Sequence, residues 1–439
     1  MRLRSCLVIV PVLFALILAA GAEQARWMSL GGDFQRSGLS GHAGPTWGCV
    51  QWKFEPGGAV VGSVTVGADG RVHIPCEDGK LYTLNADGRL LSVLDVNTPL
   101  LSAASIDPDG NLYVGGRNGM VYAIDPNGIV RWNYGTGDAI YSSPAVASNG
   151  GVYVGSSDGV LHALAPDGRE LWRFTTTGPG KLTAGTILAS PAIGPDGTVY
   201  IGGLYDPNLY ALDPSDGRVK WVCAFPPVGE ESPGWPFASP VVADDGTIYQ
   251  TLLYDSRLYA VEPNTGAIRW STDLLDLSAV GVEAGALNSD ADGWSEPALG
   301  PDGTIYVCLD DPYLRAVDPN GVIQWATQLG TVGGFTLSVD KNGLIYAACD
   351  DGYVYVVDPY GLEVTQFELG GWPAFPVIAG EDLLIVADSR DYSGYEAGAK
   401  NAIWAVSSAC PQGSEPVSRQ PEVPVTPPAP RELPEPPGR

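Results

Sequence analysis

The sequence predicts an all-β protein, an eight-bladed β-propeller of four-stranded blades. Three observations predict this fold. Short segments of alternating apolar and polar residues, typical of β-strands, occur in groups of four over about 30–35 residues. These groups recur at intervals of about 40 residues or more, and tight-turn dipeptides take the same places in each copy. Because a four-stranded unit can bury its faces only against its neighbours, such repeats close into a ring.

Residues 295–325 show one complete unit, SEPALGPDGTIYVCLDDPYLRAVDPNGVIQW. An apolar run, an Asp-Gly turn at 302–303 and a strand-like Thr-Ile-Tyr-Val segment are followed by a second turn and a third strand. An Asn-Gly turn at 320–321 then leads into the last strand. Both dipeptides favour the positive φ angles of tight turns between antiparallel strands, so the unit has four strands.

Two landmarks fix the number of copies. The residue after the first turn recurs as His73, Tyr113, Tyr153, Tyr200, Tyr249, Tyr306, Tyr346 and Ile385. The fourth strand carries a tryptophan, which we interpret as a structural residue, at Trp132, Trp172, Trp221, Trp270 and Trp325. Eight copies of the first landmark predict eight blades. The last copy is weak, so seven blades is the alternative.

The chain is long and acidic. A chain of 439 residues can hold two or three ordinary domains, but the repeat fills most of it and predicts one large domain. The 50 acidic against 24 basic residues give a formal net charge of −26. This charge argues against nucleic acid or an anionic membrane surface as a partner. Much of it lies in the repeated Asp-Gly and Asp-Pro turns, so it excludes partners without naming one.

Residues 1–22 have the features of a signal peptide. Arg2 and Arg4 precede an apolar run at 7–20, and small residues at 20–22 form a cleavage site. The run is too short for a membrane-spanning helix. A cysteine at position 6 precedes the run instead of following it, so no lipid anchor is expected. The mature protein is therefore predicted to be exported, to a periplasm or out of the cell.

The two ends of the chain are predicted to meet. Residues 23–47 lack the strand pattern and predict an irregular arm lying over the propeller, which itself spans 48–410. Residues 49–54 resemble the fourth strand of a blade, and the eighth copy lacks such a strand. We therefore expect the N-terminal strand to complete the last blade and to remove the open sheet edges.

Residues 411–439 are too rich in proline for a strand or helix and predict a disordered tail; a ligand for a proline-recognising groove is the alternative.

The closure of the ring brings two cysteines together. Aligned with the other blades, Cys49 and Cys410 take consecutive positions of one tight connection. In an oxidising compartment a disulfide between them would replace the missing covalent link. Two unpaired thiols are the alternative. The remaining cysteines of the propeller lie in strand positions of different blades and are interpreted as buried apolar thiols: Cys76, Cys223, Cys308 and Cys349.

The segments at 211–221 (ALDPSDGRVKW) and 260–270 (AVEPNTGAIRW) resemble the Ala-x-Asp-x-x-x-Gly-x-x-x-Trp docking motif of the pyrroloquinoline-quinone-like propeller repeat family. The opening segment at 27–41 resembles the N-terminal segment of exported members. The resemblance implies that the small Ala and Gly of the motif let the tryptophan of a neighbouring blade pack over them. The family contains quinone-dependent alcohol and sugar dehydrogenases, and also non-enzymatic propellers such as the assembly factor BamB, which this chain resembles most in character.

The dehydrogenases of this family imply features that the sequence lacks. Alcohol-oxidising members hold the quinone against a disulfide of adjacent cysteines, with a calcium ion and an Asp base, but no two cysteines are adjacent here. The only histidines are His42, His73 and His162, and the last two take tyrosine positions of the repeat, so no nucleophile–base set can be assembled. Paired acids at 310–311 and 350–351 are interpreted as solvated turn residues. We expect no catalytic residue and no quinone cofactor; a quinone-dependent oxidoreductase with a diverged cofactor site is the alternative.

Long connections are predicted to gather on one face of the ring. Three blade-to-blade crossings, at 175–189, 223–238 and 272–295, and the second–third loop of the last blade at 388–400 are expanded. Because binding residues concentrate on loops of a rigid scaffold, this face is the candidate binding surface. A simple cap over the central hole is the alternative. The expected contacts are Trp235, Phe237, Trp294, Tyr392 and Tyr395, with Glu230, Glu231 and Asp276 around them.

One expanded loop resembles a calcium-binding loop. Side chains that bear oxygen atoms stand at positions 1, 3, 5 and 9 of this loop, around a glycine. They are Asn288, Asp290, Asp292 and Glu296. Leu299 stands where the helix-flanked version of the loop has a bidentate glutamate, and an ordinary Asx-rich turn is the alternative.

The sequence as a whole predicts an exported, non-catalytic propeller that binds a protein or a cell-envelope polymer through its expanded face. The ligand and the oligomeric state stay open.

Overall fold

The structure, a computed structural model, describes residues 27–176, 186–228, 232–282, 295–330, 336–349, 351–371, 373–388, 401–412 and 414–419. This part of the chain forms eight antiparallel sheets of four strands each, one of which gains a fifth strand. These sheets are the blades of an eight-bladed propeller, as the repeat predicts. Among the described residues, no helix is long and apolar enough to cross a membrane.

The strands follow the ring in chain order. The first strand, β1, is Cys49–Phe54. Blade 1 contains β2 (Thr65–Val66), β3 (Val72–Pro75), β4 (Lys80–Leu84) and β5 (Leu90–Asp95); blade 2 contains β6 (Ser105–Ile106), β7 (Leu112–Gly115), β8 (Met120–Ile124) and β9 (Val130–Gly135). Blade 3 contains β10 (Ala145–Val146), β11 (Val152–Gly155), β12 (Val160–Leu164) and β13 (Glu170–Thr175); blade 4 contains β14 (Ala192–Ile193), β15 (Val199–Gly203), β16 (Asp206–Leu212) and β17 (Val219–Ala224). A small hairpin follows, made of β18 (Pro227–Val228) and β19 (Ser232–Pro233).

The second half of the ring continues the pattern. Blade 5 contains β20 (Val241–Val242), β21 (Ile248–Leu252), β22 (Asp255–Val261) and β23 (Ile268–Asp273), and a short 3-10 helix, Ser278–Val280, follows it. Blade 6 contains β24 (Ala298–Leu299), β25 (Ile305–Cys308), β26 (Tyr313–Val317) and β27 (Ile323–Gln328); blade 7 contains β28 (Leu337–Val339), β29 (Ile345–Ala348), β30 (Tyr353–Val357) and β31 (Glu363–Glu368). Blade 8 contains β32 (Pro373–Gly380), β33 (Leu383–Asp388) and β34 (Ala402–Ser407), and β35 is Ser418–Arg419.

The hydrophobic core is divided among the contacts between neighbouring blades. Eight apolar clusters are present, and each combines buried residues of two adjacent blades. The first three strands of a blade are buried, whereas the fourth alternates between half-buried and exposed residues, as in β9. The fourth strand is therefore the outer rim of the ring. Stability comes from blade-to-blade packing, as expected for a repeat protein.

A tryptophan of the fourth strand joins one blade to the next. Trp221 packs against Tyr200 of its own blade, with ring centroids 5.7 Å apart. Its Nε1 donates to the carbonyl of Pro263 in the next blade at 2.7 Å. A Cβ atom on Gly266 would come within 2.5 Å of the indole, so only glycine allows this contact. The same bond to a carbonyl of the next blade is made by Trp52, Trp132, Trp172, Trp270 and Trp325.

The N-terminal strand completes the last blade. Strand β1 pairs with β34 in antiparallel register, from Cys49 opposite Ser407 to Phe54 opposite Ile403. Cys49 and Cys410 form a disulfide with their Cα atoms 5.1 Å apart. Trp52, which was not among the structural tryptophans predicted from the repeat, joins blade 8 to blade 1. Sheet pairing, the disulfide and this tryptophan together close the ring.

The described part of the arm has no regular secondary structure, as predicted, but it does not lie over the propeller. It is threaded along the innermost strands and hydrogen-bonds to one blade after another. The backbone amides of Val66, Ile106, Ile193, Val242, Leu299 and Val339 donate in turn to the carbonyls of Trp27, Met28, Phe34, Gln35, Ser37 and Gly38. The innermost strands have an unpaired edge toward the axis, and the arm satisfies part of it.

The C-terminal boundary also needs correction. The sequence predicts a disordered tail from residue 411, but residues 414–419 lie along blade 7, where β35 pairs with β31. The amide of Glu368 donates to the carbonyl of Val417 at 3.0 Å, and the Thr365 hydroxyl donates to the carbonyl of Arg419 at 2.9 Å. Residues 420–439 lie outside the described part of the chain.

Candidate functional site

The predicted binding surface is the crossing face, the face formed by the blade-to-blade crossings and the second–third turns. The crossing from blade 4 to blade 5 carries the β18–β19 hairpin, and the crossing after blade 5 carries the 3-10 helix. Both additions lie on this face because the antiparallel order of the strands fixes which ends of a blade share a side. The opposite face carries the first–second and third–fourth turns of the blades, and we call it the turn face.

Three aromatic side chains meet on the crossing face between blades 4 and 5. Trp235 lies in the crossing, and Tyr205 and Tyr254 lie in the second–third turns of blades 4 and 5. The ring of Trp235 is 4.8 Å from that of Tyr205 and 5.4 Å from that of Tyr254, edge to face in both pairs. Two backbone hydrogen bonds with Leu253 fix the position of Trp235. We call Tyr205, Trp235 and Tyr254 the aromatic cluster.

The two tyrosines stand in a backbone conformation that favours glycine. Both have φ of +66°, and in blade 2 the corresponding turn has Gly119 at +74°. A bulky side chain in this region costs on the order of 1–3 kcal/mol, and such strain persists where the surrounding structure enforces it. Both tyrosines are nevertheless about half exposed, at 51% and 48%. The strained turns therefore leave about half of each tyrosine side chain open to solvent while its ring contacts Trp235.

Buried aspartates hold these turns rigid. Asp206 follows Tyr205 and accepts a hydrogen bond from the Tyr210 hydroxyl at 2.7 Å. In blade 5 the Tyr259 hydroxyl donates to Asp255 at 2.6 Å. Burial raises the pKa of Asp255, and the Tyr259 hydrogen bond opposes that shift. Because each carboxylate is fixed within the hairpin, the aromatic cluster is presented by a rigid support.

The structure places only part of the predicted contact set. Trp235 is in the aromatic cluster, and Phe237 is half-buried two residues later, its amide donating to the Trp235 carbonyl at 2.7 Å. Asp276 is exposed and accepts hydrogen bonds from the hydroxyl and amide of Ser278, the first residue of the 3-10 helix. The remaining predicted contacts lie outside the described residues: Glu230, Glu231, Trp294, Tyr392 and Tyr395.

The predicted calcium loop is also largely outside the described residues. Asn288, Asp290 and Asp292 are not described, and only Glu296 is. Glu296 lies beside Arg36 of the arm, whose pKa burial lowers to about 10 while the negative charge of Glu296 acts against that shift. In the described part of the chain, no three histidine, cysteine or acidic side chains form a group that could hold a metal ion. Calcium binding by this loop stays a prediction.

Sequence reasoning missed Tyr205 and Tyr254. A signal was present, because blades 4 and 5 read Leu-Tyr-Asp at 204–206 and 253–255 where other blades carry an Asp-Gly or Asn-Gly turn. The glycine of that turn is replaced by Pro207 and Ser256, and this departure from turn chemistry indicates a constraint other than folding.

One interpretation of the turn acids was wrong. Asp311, expected to be a solvated turn residue, is buried and forms an ion pair with the equally buried Arg315. Arg315 takes the place of the tyrosine that bonds the turn aspartate in blades 4 and 5, and its Nε also donates to the carbonyl of Leu274 at 2.7 Å. A buried guanidinium needs such complete pairing.

The described residues at the axis of the ring differ from the quinone site that the resemblance implies. Arg36 of the arm is buried there and donates to the carbonyls of Leu30, Ser143 and Pro191 at 2.9–3.1 Å. Adjacent cysteines, which would form the clamp of the alcohol-oxidising members, are missing from the sequence. His73 and His162 are buried among blade residues, where His73 Nδ1 is 3.1 Å from the Thr83 hydroxyl. The residues therefore do not fit the quinone as those members hold it.

Comparison with known proteins places the chain among propellers of this repeat type. A family model described as "Outer membrane protein assembly factor BamB" matches residues 77–251 and 224–368. No curated protein matches the sequence.

Solved structures share the architecture at low sequence identity. BamB from Moraxella catarrhalis is 16% identical, with 82% of this chain and 99% of that chain covered and a TM-score of 0.65. The quinohemoprotein alcohol dehydrogenase from Comamonas testosteroni is 14% identical, with 91% and 82% covered and a TM-score of 0.70. A europium-containing methanol dehydrogenase is 13% identical, with 88% and 98% covered and a TM-score of 0.72. At this identity the likeness shows the fold alone.

Proposed function

The chain belongs to the family described as outer membrane protein assembly factor BamB, and from this membership we propose that it is an exported, non-catalytic binding module. Its partner is a protein, bound on the crossing face around the aromatic cluster of Tyr205, Trp235 and Tyr254. The family is described as an assembly factor, a role that requires protein partners. Export is proposed from the signal peptide predicted at residues 1–22.

The observation that carries the proposal is the pair of strained, half-exposed tyrosines on either side of Trp235. Tyrosine and tryptophan are the residues most enriched at the centres of protein–protein interfaces, because each buries a large area with few rotatable bonds. A rigid aromatic cluster loses little conformational entropy when a partner covers it. Their contacts with Trp235 leave about half of each tyrosine side chain exposed, so packing alone does not account for the strained conformation, and binding is the better explanation of their positions.

The cluster can be tested by separating binding from stability. In the double variant Tyr205→Asn/Tyr254→Asn, asparagine accepts the left-handed conformation more readily than tyrosine. We expect the free energy of unfolding to stay within about 1 kcal/mol of the native value or to rise. Capture of a specific protein from an envelope extract should fall by about tenfold or more, measured by quantitative mass spectrometry on immobilised protein.

The matched control is Tyr360→Asn. Tyr360 is 78% exposed in the third–fourth turn of blade 7, on the turn face, so its replacement should leave capture unchanged. Equal capture by the native protein and the double variant would contradict the proposal. So would a shift in quinone absorbance with dye reduction by an alcohol, on addition of calcium and pyrroloquinoline quinone, since that result would favour the dehydrogenase alternative.

A further inference from the structure

A pocket opens at the junction between blades 1 and 2, where the joining tryptophan is missing. Six of the eight junctions are filled by a tryptophan that bonds a carbonyl of the next blade. In blade 1 the equivalent position is Ser92, which pairs with Thr83 as Trp132 pairs with Ala123 in blade 2. The fourth strand of blade 1 therefore has no indole to place against blade 2.

The pocket keeps the other features of a tryptophan site. Its volume is about 300 Å³, and its lining includes Arg71, His73, Leu91, Ser92, Leu94 and Gly128. Gly128 stands where Gly168, Gly217 and Gly266 lie under an indole, but the nearest atom to a Cβ there would be the Ser92 hydroxyl at 3.9 Å. At those three glycines an indole atom would be only 2.5–2.6 Å away. The glycine of the motif is therefore kept, but no described residue covers it.

Arg71 takes over the polar part of the tryptophan's role. Its Nη1 donates to the carbonyl of Pro126 at 2.9 Å, the position that receives an indole N–H at the filled junctions. Its Nε is also 3.2 Å from Asp69. The carbonyl is satisfied, so a ring that enters the pocket needs no donor of its own. A guanidinium at the wall of the pocket can also attract the face of an aromatic ring.

The strand beside the pocket offers an open edge. The outer strand of blade 1, β5, exposes Leu90, Leu91 and Val93 by 44–49%. No described strand pairs with its outer edge. In blade 7, which also lacks the tryptophan, the chain itself adds β35 to the outer strand, and Thr365 at the tryptophan position is buried beneath it. Val417, just before β35, packs against the apolar cluster between blades 7 and 8.

We propose that the pocket between blades 1 and 2 binds an aromatic side chain of a partner protein, carried on an extended segment that pairs with β5. The repeat shows the class of side chain that fits, since an indole fills the same space at six junctions of this chain. The added strand at blade 7 shows how an extended segment reaches such a place from outside the sheet. Strand addition supplies affinity through main-chain hydrogen bonds, and the pocket supplies specificity. This site is on the rim of the ring and is independent of the aromatic cluster.

The experiment uses a defined probe, the blocked pentapeptide acetyl-Thr-Val-Trp-Val-Thr-amide, with the alanine version of the same peptide as control. Isothermal titration calorimetry on the full chain should show binding of the tryptophan peptide and about tenfold weaker binding of the alanine peptide. The variant Ser92→Trp fills the pocket from within and should weaken the tryptophan peptide by a similar factor. Equal binding of the two peptides, or undiminished binding to Ser92→Trp, would overturn the proposal.

Two further measurements keep the test decisive if Ser92→Trp does not fold. In the native protein, a peptide with benzoylphenylalanine in place of tryptophan should crosslink to residues 91–94 or 126–128, located by mass spectrometry, and labelling elsewhere counts against the site. A chain ending at Arg419 should bind the peptide as the full chain does. If it binds more tightly, residues 420–439 compete with the peptide although they contain no aromatic residue, and the proposal of an aromatic side chain from a second protein is overturned.

Discussion

The junction between blades 4 and 5 and the junction between blades 1 and 2 join the same strands by different means. In the first, Trp221 fills the space over Gly266 and bonds the carbonyl of Pro263. In the second, Arg71 bonds the equivalent carbonyl of Pro126 and the space stays open. The hydrogen bond and the filled volume, which one indole supplies together, are thus separable. The junction between blades 4 and 5 is packed and stabilises the ring. The junction between blades 1 and 2 is less well packed and contains a pocket.

The largest expected effect comes from making the filled junction resemble the open one. Trp221→Ala removes a buried indole that a neighbouring backbone is shaped around and should cost about 3–5 kcal/mol of unfolding free energy. Ser92→Ala is the matched change at the open junction and should cost less than about 0.5 kcal/mol, because the side chain is exposed. Urea unfolding of both variants followed by circular dichroism measures the difference. Similar losses in the two variants would show that the indole is not what holds the junction.

The same comparison shows which features of the fold can be predicted from the sequence. The residue after the first turn recurs eight times, from His73 to Ile385, so eight blades follow from the pattern. The tryptophans from Trp132 to Trp325 recur at a fixed place in the fourth strand, so five of the six joining tryptophans follow as well. The pairing of residues 49–54 with the last blade follows because a missing strand at one end is matched by a surplus strand at the other. The disulfide position follows from the same alignment. Each of these depends on residues that repeat.

The sequence does not predict those structural features that occur at a single place in the ring and are not part of the repeat. Arg71, which immediately precedes β3, replaces the indole N–H as the donor, and no repeat position signals it. Strand β35 is two residues long beside a proline, so it has no period that could be recognised. The arm has no regular structure of its own and follows the unpaired edges of the inner strands, which exist only after the ring has closed. The sequence shows Tyr205 and Tyr254 as exceptions to the turn pattern, but it does not predict that their rings contact Trp235.

His73, which replaces the repeat's tyrosine at the open junction, gives the next largest effect. Burial lowers its pKa to about 4, with Arg71 acting in the same direction and Asp69 against it. The unfolded histidine has a pKa near 6.5, so the unfolded state binds more protons between these values. The stability contributed by neutral His73 is therefore complete above about pH 6.5 and is lost as the pH falls toward 4, by about 2–3 kcal/mol.

His73→Tyr, which restores the residue of the other blades, isolates this contribution. The difference in unfolding free energy between native protein and variant should change in the variant's favour from pH 7 to pH 4.5, measured by urea unfolding at each pH. Other titrating groups contribute equally to both proteins and cancel in the difference. A difference that does not depend on pH would mean that His73 titrates normally in the folded state.

The smallest expected effect tests the second junction without a tryptophan, between blades 7 and 8. A chain that ends at Gln412 keeps the disulfide but loses β35, its hydrogen bonds to β31 and the packing of Val417. Mutational series give a net contribution of about 1 kcal/mol for a typical hydrogen bond, so we expect removal of the segment to cost about 1–2 kcal/mol of unfolding free energy. A chain that ends at Arg419 keeps every described contact of the segment and is the matched control. If the shorter chain is as stable as the control, the segment does not support the junction, and Thr365 would then tolerate exposure as Ser92 does. If it loses the expected stability, the two junctions without tryptophan differ as the structure shows: one is closed by the chain's own strand, and the other is left for a partner.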